Sequence, residues 1–310
     1  MSNPQSLEAH FDNIHIQQKP KTKRITQEFL NKLLSSDFQQ YYKSHPLNDV
    51  LYLQMQDFAE IENLDTFTGL KTLYLNGNQI EEIKNLGYCT QLKALYLQEN
   101  MIKKIENLEN LENLSTLNIS YNMITKIEKL GNNQKLHALH LTKNSIGVGG
   151  LSDIEHLKEL KSLATLDLSD NFIDTPDYKK FIAILQGIPK LSALYLRNNP
   201  IIDIIPNYRK VMVYSLPGLT YLDDKPVFDE EKRFAKAFME GGVEAEKREM
   251  QLFKEEEWEK HRKQHEAFKA KYFGKKDTDN DKPVGEDLES IATSKLETYY
   301  SNQSSEEEKE

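Results

Sequence analysis

Residues 70–86 read LKTLYLNGNQIEEIKNL, residues 92–108 read LKALYLQENMIKKIENL, and residues 114–130 read LSTLNISYNMITKIEKL. Superposed, they give one unit, L-x-x-L-x-L-x-x-N-x-I-x-x-I, with a further Leu sixteen places after the first. Leu70, Leu92, Leu114 and Leu136 open successive copies 22 residues apart. Two more copies open at Leu163 and Leu191 after spacings of 27 and 28, and a degenerate one lies upstream with Leu51, Leu53, Phe58, Ile61 and Leu64. Self-similarity at such a period marks a stack of small units, none of which can bury its apolar side alone.

Each position in the unit has a physical reason. L-x-L alternates, so it predicts a short strand with both leucines inward and the x positions outward. The Asn amide offers donors and an acceptor to backbone groups that the strand-ending turn leaves unpaired. Ile-x-x-Ile returns over the convex side and fills the other half of the core. This is the leucine-rich-repeat pattern, and the expected fold is an α/β solenoid with short parallel strands on its concave face, a C-terminal cap and a long charged helix.

The flanks are read by composition. Thr26 is placed to cap a helix bearing Phe29, Leu30, Leu33 and Leu34. In the long copies, Tyr178, Phe181, Ile182 and Leu185 predict a convex helix, with Thr175 and Pro176 at its start and Gly187 at its stop. Asp153 to Lys161 reads similarly, after a Gly147, Gly149, Gly150 stretch expected to be mobile. Tyr208 to Phe228 holds Tyr214, Leu216, Leu219, Tyr221 and Leu222 without an Asn turn and reads as the closing cap. From Asp229 to Phe273 there are 12 acidic and 11 basic residues and no Pro. That predicts a long helix bent or broken at Gly241–Gly242. Its apolar positions are too sparse for a sustained coiled coil. The expected organisation is thus a disordered segment at 1–24, a helical cap at 25–46, the solenoid at 47–206, its cap at 207–228, the charged helix at 229–273 and an acidic disordered tail at 274–310.

Several functions lose ground on composition. The chain has 310 residues, 40 Lys+Arg against 49 Asp+Glu and a net charge of −9, the wrong sign for nucleic acid or an anionic membrane. No apolar run of 18 residues is present and Met1–Lys19 holds no signal-peptide core, so a reducing, cytoplasmic setting is expected. The single cysteine, Cys89, removes a disulfide framework and a multi-cysteine zinc site, and reads as a small buried thiol. Asp277, Asp279 and Asp281 imitate the start of a calcium loop, but Lys282 stands where the loop needs Gly and Leu288 where it needs Glu. His261 and His265 lack a third ligand at motif spacing. Lys19, Lys21, Lys23 and Arg24 read as a basic linker ahead of a nuclear-import signal. No phosphate loop, HExxH or GxSxG occurs, so neither catalysis nor a cofactor or metal is expected.

The outward strand positions carry the functional expectation. One column runs Tyr52, Tyr74, Tyr96, Asn118, His140, Asp167, Tyr195. Strands about 4.8 Å apart should stack the first three tyrosines into a ladder. Val50, Thr72, Ala94, Thr116, Ala138, Thr165 and Ala193 flank it with small side chains. Gln54, Asn76, Gln98, Ser120, Thr142, Ser169 and Arg197 flank it on the other side. An aromatic and amide surface of low charge suits a protein partner, with Arg197 and the tyrosine column as candidate contacts. The plainer meaning, that Tyr is merely a good strand residue, is the less favoured one. Phe253, Trp258 and Phe268 on the charged helix either rest on the cap or are offered to a second partner; both readings stay open.

The 22-residue unit resembles the SDS22-like class of leucine-rich repeats. More specifically, IPNYRKVMVYSLPGLTYLDDKPVF at 205–228, AFMEGGVEAEKRE at 237–249, ITQEFLNKLL at 25–34 and LNDVLYLQ at 47–54 resemble the dynein axonemal assembly factor 1 family. That resemblance covers roughly residues 25–270. It implies a non-enzymatic scaffold supporting cytoplasmic pre-assembly of outer and inner dynein arms. Its implied partners are axonemal dynein subunits, other dynein assembly factors and chaperones. Two alternatives are a resident axonemal component, held among dynein or microtubule-associated proteins in the cilium, and an SDS22-like phosphatase-regulating scaffold.

Overall fold

The computed structural model describes residues 23–35 and 41–273, with side chains to 271. The calcium-like aspartates at 277–281, the acidic tail from 274 and the first 22 residues lie outside it. Seven three-residue strands follow the repeat register: β1 (Val50–Tyr52), β2 (Thr72–Tyr74), β3 (Ala94–Tyr96), β4 (Thr116–Asn118), β5 (Ala138–His140), β6 (Thr165–Asp167) and β7 (Ala193–Tyr195). They pair in parallel in chain order, Leu51 against Leu73, Leu95, Leu117, Leu139, Leu166 and Leu194 in turn. β8 (Tyr221–Leu222) continues the sheet in parallel, and β9 (Lys225–Pro226) closes it antiparallel.

The central leucine of each strand from β1 to β7 is fully buried, and so are the convex isoleucines Ile80, Ile83, Ile102, Ile105, Ile124 and Ile127. Each buried aliphatic side chain contributes about 1.5–3 kcal/mol relative to exposure, so stacking, not any single repeat, supplies the stability. The strand-ending asparagines sit in the spine of that core. Asn100 Nδ2 donates to the Leu75 and Leu97 carbonyls, both at 3.0 Å, while its Oδ1 accepts from Ile80 N–H at 2.9 Å. Asn78, Asn122, Asn144, Asn171 and Asn199 repeat this bridge between neighbouring units.

A second asparagine series lies on the convex return. Asn63, Asn85 and Asn107 adopt φ near +59° and donate to the Ile25, Ile61 and Ile83 carbonyls at 2.6, 2.7 and 2.7 Å. Asn tolerates this left-handed region better than most side chains. Asn63 thereby fixes the N-terminal cap, α1 (Gln27–Leu34), whose N-cap is Thr26 with its hydroxyl accepting from Phe29 N–H. Lys23, expected in the disordered linker, bridges Phe58, and Arg24 pairs with Glu62, holding that carboxyl below the usual range. Tyr41 Oη accepts from Tyr52 N–H at 3.2 Å, on the edge strand of the sheet.

The long copies depart from expectation in two places. Residues 151–159 form two 3₁₀ turns, Leu151–Asp153 and Glu155–Glu159, not an α-helix. Ile154, Leu157 and Leu160 are all buried at a spacing of three, the period of a 3₁₀ helix. The glycines before them are held in place: Gly147 and Gly149 N–H both donate to the Asp153 carboxylate, at 3.1 and 2.8 Å. Gly147 sits at φ +100°, where a Cβ would lie 2.5 Å from the Phe172 carbonyl oxygen. The convex helix α2 (Tyr178–Gln186) starts two residues later than Thr175–Pro176 suggest, because Asp177 is its N-cap and accepts from Lys180 N–H.

Beyond β7 the chain runs through α3 (Ile201–Ile204) and α4 (Tyr208–Ser215) into the β8–β9 turn. No asparagine closes this end; Asp223 substitutes, its Oδ1 accepting from Leu196 N–H at 2.7 Å and its Oδ2 from the Tyr208 hydroxyl at 2.9 Å. Burial, reinforced by Asp223, pushes the Tyr208 phenol far up. Helix α5 (Asp229–Phe273) breaks at Gly242, φ +70° and ψ −166°. Arg233 pairs with Glu249 across that break, so the chain doubles back there. In a straight helix those two residues would be about 24 Å apart. The described residues up to Gln251 belong to the same compact unit as the solenoid, and those from Leu252 to Phe273 belong to a second.

Candidate interaction surface

The tyrosine column is built by the pairing register. Tyr52, Tyr74, Tyr96, Asn118, His140, Asp167 and Tyr195 lie directly opposite one another on successive strands. The first three rings stack, with centroids 4.9 and 4.6 Å apart and planes tilted by 15° and 3°. Tyr52 at the edge is 39% exposed, while Tyr74 and Tyr96 are half-buried. Burial, with the neighbouring phenols, pushes the Tyr74 hydroxyl up, keeping it a neutral donor. Small flanking residues and mutual stacking hold the rings as one rigid row, a low-entropy contact surface.

The second half of the column is polar and partly committed to its own backbone. Asn118 Oδ1 accepts from Ser120 N–H at 3.1 Å, and Asp167 Oδ1 from Ser169 N–H at 2.9 Å. Between them His140 is half-buried, and desolvation lowers its pKa against the opposing pull of Asp167. Arg197 is exposed but spends its charge on Asp224 at 2.7 Å. At the far end Tyr221 of β8 meets Tyr195, centroids 5.6 Å apart and tilted by 42°. Tyr221 is an addition to the surface, since the cap sequence lacks the repeat's spacing and hides its strand. Lys143 lies 5.0 Å over the Tyr121 ring in the turns beside the sheet.

The helix candidates lie in the second unit. Trp258 is 68% exposed, Phe268 is 54% exposed and Phe253 is half-buried. At 3.6 residues per turn they spread over about 140° of the helix, a broad face and not a narrow coiled-coil seam. His261 and His265 are exposed on the same helix. Cys89 is buried, its thiol 3.6 Å from the Leu64 carbonyl oxygen and its pKa pushed by desolvation to about 11. Among the described residues, no helix is long and apolar enough to cross a membrane.

A concave parallel sheet, an asparagine spine and caps at both ends define a leucine-rich-repeat protein, and the leucine-rich-repeat family model matches residues 67–186. Dynein axonemal assembly factor 1 of Mus musculus is 56% identical over 237 residues, 76% of this chain and 36% of that protein. Leucine-rich repeat-containing protein ODA7 of Chlamydomonas reinhardtii is 47% identical over 116 residues, 37% of this chain and 26% of that protein. Within the leucine-rich-repeat class, the chain thus has curated homologues named dynein axonemal assembly factor 1 and ODA7, at 56% and 47% identity. It spans about a third of the length of the curated relatives it matches. Among solved structures, an internalin C2 from Listeria monocytogenes aligns at TM-score 0.46 and 24% identity, over 58% of this chain and 74% of that one.

Proposed function

We propose that this chain is a non-enzymatic scaffold for the pre-assembly of axonemal dynein arms, acting in the cytoplasm with the cilium as a second location. The observation that carries the reading is the 56% identity to the mouse assembly factor across 76% of the chain. The concave column, Tyr52 through Tyr195 with Arg197, is assigned to axonemal dynein subunits or to other assembly factors and chaperones. Stacked, half-exposed aromatics beside amides and little charge support that assignment, because such rows dominate protein interfaces. Phe253, Trp258 and Phe268 are assigned to a second contact on the same partners or on axonemal proteins.

Replacing Tyr74 and Tyr96 together with Ala tests the reading in the full chain. Both side chains face outward, so Tm should move little, whereas co-precipitation of axonemal dynein chains from ciliated cells should drop roughly tenfold or more. Undiminished capture by a folded double variant would remove the concave face from the proposal.

A further inference from the structure

The concave face leaves hydrogen-bond acceptors unpaired, and their placement gives the partner a shape and a charge. Among the described residues the Oε1 atoms of Gln54 and Gln98 are buried and accept no hydrogen bond. Both belong to the amide column beside the tyrosine ladder, on the chain leaving β1 and β3. A buried unpaired amide oxygen costs about 1–3 kcal/mol; both side chains are part-exposed, so turning the amide outward to an N–H or O–H brought by a partner removes that deficit. Further along, Asp167 keeps one carboxylate oxygen beyond its bond to Ser169 and has no ion-pair partner among the described residues. Arg197, the cation of these two columns, is already held by Asp224 at 2.7 Å. Lys71 and Lys93 stand at the margin beside β2 and β3, Lys71 on Asp49 at 2.7 Å. Unbalanced negative charge therefore sits at the β6 end of the face.

The spacing selects a conformation. Successive strands lie about 4.8 Å apart, close to the 5.4 Å rise of one α-helical turn. A helix laid across the strands meets each repeat with about one turn. An extended peptide, whose same-side residues fall about 6.8 Å apart, loses register within two repeats. From β1 to β7 there are six strand spacings, about 29 Å, which a helix of about 19 residues covers.

We propose that the concave sheet from β1 to β7 seats one amphipathic helix of a partner protein. Its apolar stripe lies on the tyrosine ladder, its side-chain donors reach Gln54 and Gln98, and its basic end lies over Asp167. This rests on the concave face being the partner surface and adds the partner's conformation, polarity and charge.

The test places the photo-crosslinker p-benzoylphenylalanine at Tyr74 in one full-length preparation and at Tyr195 in another. Each is irradiated in extract of ciliated cells and the attached peptides are sequenced. The β2 and β7 positions lie five spacings apart within that seat, so both adducts should fall on one segment, about 16 residues from each other, with Lys or Arg at the Tyr195 end. Adducts about seven residues apart, adducts on unrelated proteins, an acidic segment, or no adduct at either position would overturn the proposal. A synthetic peptide of the captured segment should then bind Asp167→Asn about five- to tenfold more weakly and with less salt dependence. Asn118 already makes the same backbone bond two column positions earlier, so that variant keeps the fold. Equal affinity for both forms would overturn the charge assignment. A basic helix drawn from proteins outside dynein assembly would sink the dynein reading and leave the seat standing. Loss of dynein capture in the tyrosine double variant together with extended-peptide spacing would do the reverse.

Discussion

Asn100 shows how much one side chain does here. It joins three backbone groups from two repeats inside a buried spine, so the strand end cannot open without orphaning them. Leu95, fully buried at the centre of β3, is the apolar counterpart, and Leu95→Ala should cost about 2–5 kcal/mol in urea unfolding. An unchanged midpoint would contradict the strand register. His140 makes a pH-dependent contribution. Its folded-state pKa lies below the unfolded value of about 6.5, so the unfolded chain binds the proton first as pH falls. That part of the stability is complete above about pH 6.5 and is lost on acidification. His140→Asn, matching Asn118 in β4, should flatten the fall in Tm between about pH 6.5 and 5; the same slope in both proteins would refute it.

At the scale of elements, the strands were legible because a 22-residue period repeats both spacing and side-chain alternation, and a one-residue slip would turn every leucine outward. The connections were less so. Residues 151–160 carry apolar side chains at a spacing of three, which a helical reading accepts, yet the short path back to β6 favours 3₁₀ turns. Gly147 looked loose in sequence and is pinned by Asp153, six residues further on. The fold-back at Gly242 depends on contacts beyond any local window: Lys210 Nζ meets Glu246 at 2.7 Å and lies 4.5 Å over the Phe238 ring. Lys210→Ala should cost about 1 kcal/mol or less, since its head is partly solvated, but it should raise hydrogen exchange across residues 243–251. Exchange unchanged in that stretch would mean that other contacts hold the returning arm.

For the whole molecule, the proposed role makes a location the deciding observation. A cytoplasmic assembly scaffold should appear in the detergent-soluble fraction of ciliated cells and be absent from salt-washed axonemes. Stoichiometric retention in those axonemes would instead make it a resident component. The molecule also shows why its sequence was readable to different depths. The repeat register, the asparagine spine and the tyrosine column follow from residues that recur at one fixed spacing, so local alternation and burial carry them. The convex asparagines Asn63, Asn85 and Asn107 recur at that same spacing and were equally available to a reader of the sequence. The Asp223 closure, the packing of Tyr221 on Tyr195 and the pairing of Arg233 with Glu249 depend on residues brought together once, without repetition. So do the unsatisfied oxygens of Gln54 and Gln98. A period encodes contacts between neighbouring units, whereas contacts made a single time, and hydrogen bonds left unmade, exist only once the chain has closed in three dimensions.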